Sequence, residues 1–186
     1  MLQNIDTNEE AKQLAAVEPI PVRVEFPEDS VLRRLVLPHS LKSRLVTEED
    51  VPRVVEETKV LHAICFEPTG KYQGAFAMHH SQIDDKDPLS FFVTADRRII
   101  INPVVIRHSS YEVDSDEGCV TFSHLPQVTV KRWRKMDVEY VTIMVDPDDE
   151  TKFKLSSIIE EHVVGREAWM FQHEMGHGDA KYIYPY

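Results

Sequence analysis

The stretch His173-Glu174-Met175-Gly176-His177 restricts the possible folds of this chain more than any other. Histidines at i and i+4 of a helix project from one face one turn apart, so both imidazoles can converge on one ion at about 2.0–2.1 Å. Glu174 is rotated by about 100° from His173 around the helix axis. It therefore lies outside that coordination triangle, but it can reach a water on the open side of an ion and take its proton. Gly176 and Gly178 each disfavour a helix by about 1 kcal/mol, so a helix starting near Arg166 should end at His177. A third ligand is still missing from this helix.

Two cysteines are candidates, Cys65 and Cys119. Thr47, with Asp50 three residues on, reads as the N-cap of an earlier helix in which Val51, Val54, Val55, Thr58, Leu61, His62 and Cys65 recur at helical spacing. That pattern puts Cys65 on a core face as a small buried hydrophobe. Cys119, within Asp116-Glu117-Gly118-Cys119-Val120-Thr121, is the better placed soft ligand. A thiolate with two imidazoles leaves a fourth position for water, the arrangement of a catalytic site.

Between these features the chain reads as strands. Pro19, Pro21, Pro27 and Pro38 favour extended segments at 22–26 and 32–37. A turn at 68–70 precedes apolar runs at 74–83, 91–93, 99–101 and 102–106, and later ones at 128–130 and 138–145. Asp146-Pro147-Asp148-Asp149 reads as a turn, followed by an extended stretch over 153–164. The expected class is α+β, with antiparallel β-sheets packed around the late metal-binding helix. One domain over 1–186 is expected, with 1–18 as a flexible N-terminal segment; 186 residues, 42% of them hydrophobic, suffice for one core.

Charge and leader signals restrict the function classes. The formal net charge of -11 disfavours a nucleic-acid partner, and the one dense basic stretch, Lys131, Arg132, Arg134 and Lys135, reads as a solvated strand edge. Neither a secretory leader nor an apolar run of about 20 residues is visible, so a soluble cytoplasmic protein with reduced thiols is expected.

The Glu-Gly-Cys-hydrophobic-Ser/Thr segment upstream of an H-E-x-x-H helix resembles the peptide deformylase family, whose second and third motifs are Glu-Gly-Cys-Leu-Ser and Gln-His-Glu-x-Asp-His. The likeness extends to Gly165, Ala168, Gln172 and Asn102-Pro103. The family's first motif, Gly-x-Gly-Leu-Ala-Ala-x-Gln, is worn: Ala75-Phe76-Ala77-Met78-His79-His80-Ser81-Gln82 keeps only the final glutamine. In all, residues 20–186 can be laid along the family pattern.

This resemblance implies Cys119, His173 and His177 as metal ligands, Glu174 as general base and then acid, and Gln82 with the backbone N–H of Val120 as oxyanion donors. It implies one divalent transition metal per chain, with Fe(II) first in the cell and Zn(II), Ni(II) or Co(II) also accepted. The substrates it implies are N-formylmethionyl nascent peptides, met at the ribosome by a monomeric enzyme. Phe76, Ala77, Gly118, Trp169 and Met170 are the expected substrate-lining residues, although Trp169, Met170 and Phe171 also fit a plain helix core.

Several departures bear on substrate preference. Gly176 stands where the family has Asp, so a carboxylate orienting a histidine from that position is absent. Ala75 and Ala77 replace glycines where a peptide would pair along the strand. His79 and His80 replace alanines and read as exposed or satisfied structural residues rather than ligands. The distance from Cys119 to His173 is longer than usual, with the excess expected in the 146–157 hairpin. The sequence stops nine residues after His177, an abbreviated form similar to bacteriophage deformylases. Two other readings compete: a zinc endopeptidase, for which only Asp179 is available as a downstream ligand, and a non-catalytic deformylase-like binding module, suggested by the worn first motif.

Overall fold

The structure is a computed structural model and describes residues 41–66 and 75–184. The extended segments expected at 22–26 and 32–37, the turn at 68–70 and the flexible segment 1–18 lie outside these residues.

The first helix starts where the sequence predicts. Thr47 leads into a 3-10 turn, Glu48–Asp50, and then α1, Val51–Phe66. Asp50 accepts from the Thr47 backbone N–H at 2.9 Å and is clamped by both terminal nitrogens of Arg44 at 2.7 and 2.8 Å. Val51, Val54, Thr58, Leu61 and Ile64 form the buried stripe, one helix face at 3- and 4-residue spacing. The Cys65 side chain is outside the described residues.

Among the described residues nine strands follow: β1 (Ala77–His79), β2 (Phe91–Thr94), β3 (Ile99–His108), β4 (Glu112–Glu117), β5 (Val128–Trp133), β6 (Lys135–Val141), β7 (Ile143–Asp146), β8 (Asp149–Leu155) and β9 (Ile159–Val164). They form an antiparallel five-stranded sheet in the order β1-β2-β3-β6-β9, and two hairpins, β4-β5 and β7-β8. The last helix, α2, spans Arg166–Gly178.

Both faces of the large sheet are covered. Phe91, Val93 and Ile101 pack with Val54, Leu61 and Ile64 of α1. Their neighbours Phe92 and Ile100 point the other way, to Ala168 and Phe171 of α2. Period-2 alternation under cover on both sides explains why β2 is an unbroken apolar run.

Three expected strands differ in extent. The 74–83 run is a strand only over β1, because the chain turns at His80–Gln82, with the His79 ring accepting from the Ser81 N–H at 3.1 Å. The 138–145 run is divided between β6 and β7 at Thr142. Residues 99–108 form one strand instead of two, bulged at Asn102, whose φ of 52° suits Asn and whose side chain bonds both the N–H and the C=O of Val46 at 2.9 Å. The basic stretch belongs to the β4-β5 ribbon and its exit: Lys131 pairs with Asp114 and Arg132 with Glu117 across the ribbon.

Gly165 opens α2 with φ 62° and ψ −128°, a conformation only glycine adopts without strain. It thereby turns the chain from β9 back under the sheet. That reversal lays α2 across the ends of β1 and β5 and fixes the site described next.

Candidate metal centre

Two parts of the chain meet at one point. His173 and His177 come from consecutive turns of α2, and Cys119, two residues past the end of β4, comes from an extended segment at φ −131° and ψ 136°. Their ligand atoms all lie within 4.8 Å of one another. His177 Nε2 is 3.3 Å from Cys119 Sγ and 3.2 Å from His173 Nε2. Tetrahedral ligands at typical Zn–S and Zn–N lengths would sit about 3.6 and about 3.3 Å apart, so the two edges at His177 match such an ion closely. Cys119 and His177 are buried, and the ring of Tyr182 packs edge-on against His177.

The sequence reading missed a carboxylate here. Glu117 Oε2 is bonded to His173 Nδ1 at 2.9 Å, and Arg132 grips both Glu117 oxygens at 2.7 and 2.8 Å. Burial raises the Glu117 pKa, but Arg132 and then His173 outweigh it and hold it down to about 2. Glu117 is thus a permanent anion that orients His173 with Nε2 toward the ligand cluster. The legible signal was parity: on an extended chain, residues 117 and 119 face the same way.

The metal-free imidazole of His173 is itself shifted. Burial lowers its pKa, while the hydrogen bonds to Cys119 and Glu117 and the charge of Glu174 raise it to about 10. Next to it, Glu174 is 4% exposed, and Oε2 has no hydrogen-bond partner among the described residues. Burial pushes the Glu174 carboxyl up to about 7, against the opposing pull of His173 and the His79 backbone N–H.

Gln82 is delivered to the same point by the His80–Gln82 turn. Its Oε1 accepts from the His79 N–H at 2.8 Å, and its Nε2 donates to Thr121 Oγ1 at 2.9 Å and lies 4.0 Å from Cys119 Sγ. Val120 opens a 3-10 turn, so its N–H has no acceptor within the turn. Asp179, the candidate ligand of a peptidase reading, is elsewhere, paired with Lys42 and Lys181.

A cleft of about 840 Å³ opens over this cluster. Trp169 and Met170, one turn before His173 and Glu174, line it, whereas Phe171 faces the core. Phe76, Ala77 and Gly118 line it too, with Phe76 at an exposed rim and Ala77 buried. His79 and His80 are buried rather than exposed: His80 Nδ1 accepts from the Leu89 N–H at 2.9 Å and its ring stacks on Phe91. Two histidines without partner spacing in the sequence do have partners: His162 bonds Asp137, and His108 stacks on Trp133.

Two imidazoles from one helix, a thiolate from a strand end and a buried carboxylate beside them define the class of metal-dependent hydrolases. The polypeptide deformylase family model matches residues 70–185, and the chain belongs to that family. None of the curated proteins matches it. Among solved structures it resembles the class I type b peptide deformylase of Acinetobacter baumannii. The K2U-bound form is 19% identical, with 80% of this chain and 97% of that chain covered and a TM-score of 0.60. The Met-Ala-Ser-bound form is 18% identical, with 77% and 88% covered and a TM-score of 0.59. It also resembles the deformylase of the Vibrio parahaemolyticus bacteriophage VP16T in complex with actinonin, at 21% identity, 81% and 93% coverage and a TM-score of 0.56. Members of this family are metal-dependent hydrolases, and Cys119, His173 and His177 form a group that can hold the ion.

Proposed function

We propose that this deformylase removes the formyl group from N-formylmethionyl peptides with Cys119, His173 and His177 holding the metal, Glu174 moving the proton, and Gln82 with the Val120 N–H receiving the oxyanion. The observation that carries this reading is the gathering of Gln82, Cys119, Val120, His173 and Glu174 along one cleft, with His177 set against Cys119 and His173 at its floor. A bound divalent transition metal supplies Lewis acidity toward water and the formyl oxygen.

The chain's own groups account for the remaining chemistry. Glu174, buried next to the ligand histidine, accepts the proton of the attacking water and returns it to the departing amine, so that formate and a free N-terminus leave. A pKa near neutrality suits a group that must both take and give a proton. As the formyl carbon becomes tetrahedral, the developing negative charge on its oxygen falls between the Gln82 amide and the Val120 N–H, worth several kcal/mol in comparable sites.

Substrate binding follows from the sheet edges. β1 is the outer strand of the large sheet and β4 the outer strand of its ribbon, and residues of both line the cleft. An extended peptide can add between them, backbone to backbone. A Cβ on Gly118 would meet only Gln127 Cγ at 3.7 Å, so this glycine is not demanded by internal packing and instead keeps the cleft wall low for the substrate backbone. Trp169, Met170 and Phe76 supply apolar surface for the methionine side chain.

In the cell this reading takes Fe(II) as the metal, with Zn(II), Ni(II) or Co(II) as substitutes. It takes nascent chains at the ribosome as substrates and a single-domain cytoplasmic monomer as the working form. No helix among the described residues is long and apolar enough to cross a membrane. Formate release from formyl-Met-Ala-Ser, lost on treatment with a chelator and restored by Fe(II) or Ni(II), supports the reading. Absence of formate release from metal-loaded protein overturns it.

A further inference from the structure

Cys119, Val120 and Thr121 are consecutive, with Cys119 capping the 3-10 turn Val120–Phe122. The first offers a thiolate to the metal and the second a backbone N–H to the oxyanion. The third has no role in the reaction as derived so far. Yet its hydroxyl is the hydrogen-bond acceptor for Gln82 Nε2, at 2.9 Å.

We infer that Thr121 is a positioning residue for catalysis, setting the rotation of the Gln82 amide so that its second N–H faces the substrate oxyanion. This rests on the assignment of Gln82 as an oxyanion donor. A glutamine amide has a broad, nearly two-fold torsion at its end, so the side chain alone does not decide where its hydrogens point. The backbone N–H of His79 can only donate, and at 2.8 Å it requires Gln82 Oε1 on that side. The –NH2 group must then lie opposite.

One tether still leaves the amide free to swing about the His79 contact. Thr121 Oγ1 supplies the second tether by engaging one of the two hydrogens on Nε2. The other hydrogen is left on the side of Cys119, where Sγ is 4.0 Å from Nε2, at the outer limit for a sulfur acceptor. That hydrogen is therefore held in direction with only a long contact to the Cys119 sulfur, which a substrate oxygen can replace.

The two tethers also explain how a worn first motif keeps its function. His79 contributes to Gln82 through its backbone, which any residue except proline would supply. Its ring closes the turn by accepting from Ser81 N–H. The second motif contributes the hydroxyl. The donor of one motif is thus aimed by the residue two positions after the ligand of the other.

The test is a double-mutant cycle read in steady-state kinetics on formyl-Met-Ala-Ser with the metal-loaded protein. Thr121→Val keeps the shape and removes the acceptor. The expected result is a kcat lowered about 10-fold, less than the 10²–10³-fold typical of deleting an oxyanion donor, with KM and metal content unchanged. Thr121→Ser, which restores the hydroxyl, should return kcat close to the parent. In a Gln82→Leu background, Thr121→Val should cause no further loss, because nothing remains to be aimed. A Thr121→Val enzyme with parental kcat, while Gln82→Leu is impaired, overturns the positioning role and leaves the proposed function standing. So does an equal kcat loss from Thr121→Val in both backgrounds, which would mark a merely structural hydroxyl. A parental kcat in Gln82→Leu itself removes the oxyanion assignment on which both rest.

Discussion

Glu117 and His173 form a 2.9 Å hydrogen bond that ties the strand carrying Cys119 to the helix carrying both histidine ligands. Arg132, reaching across from β5, holds the Glu117 carboxylate in place. Once the ring gives up its second proton, the bond keeps the remaining one on Nδ1 and leaves Nε2 to ligate, and it brings negative charge to the edge of a cationic site. The carboxylate that orients His173 thus comes from the motif around the cysteine, and position 176, where the family has Asp, is Gly in this chain.

Replacing Glu117 by Gln keeps volume and a carbonyl acceptor but removes the charge and leaves Arg132 unpaired. Loss of such a partner typically weakens metal affinity about 10- to 100-fold. Competition with a calibrated chelator should show a dissociation constant raised within that range. An unchanged constant would mean that Glu117 only stabilises the ribbon.

Metal affinity should depend steeply on pH. With its pKa held up at about 10, the metal-free His173 carries a proton through neutral pH, and an ion can bind only by displacing it. Affinity should therefore rise as pH rises, by about tenfold per unit for each proton released, and level off for this group only near pH 10. Titration of Zn(II) or Ni(II) binding between pH 6 and 9, with proton release measured in buffers of different ionisation enthalpy, checks it. A pH-independent affinity would contradict it.

Gly178 illustrates a different coupling. A Cβ there would come within 3.1 Å of His79 Nε2, inside ordinary contact distance, so the neighbouring ring must give way. Overpacking of this kind costs about 1–3 kcal/mol, and the gain of up to about 1 kcal/mol from replacing a helical glycine is smaller at a helix end. Gly178→Ala should lower stability in urea unfolding, and His79→Ala should abolish that penalty. A stabilising Gly178→Ala in the parent would show that the ring moves aside freely.

Much of this architecture could be read from residue order because it is local. The stripe from Val51 to Leu61, the glycine at 165 and the i, i+4 histidines each express one element's geometry, and α2 ends within a residue of the expected position. What stayed hidden depends on which strands become neighbours. Arg132 meets Glu117 only because β5 pairs with β4, and Thr121 meets Gln82 across 39 residues of intervening chain. Gly178 was legible as a helix terminator, but its contact with His79 was not, since nothing in the order of residues places β1 under the last turn of α2.

The central claim, that Glu174 moves the proton while Cys119, His173 and His177 hold the metal, is tested most directly by one variant. Glu174→Gln keeps the shape of the buried side chain and removes only the proton acceptor. Formate release from formyl-Met-Ala-Ser is measured on metal-loaded Glu174→Gln beside the parent, with metal content determined on the same samples. The account predicts one metal per chain in both and a turnover lost in the variant by the 10²–10⁴-fold typical of a missing general base. Parental turnover in metal-replete Glu174→Gln would contradict it.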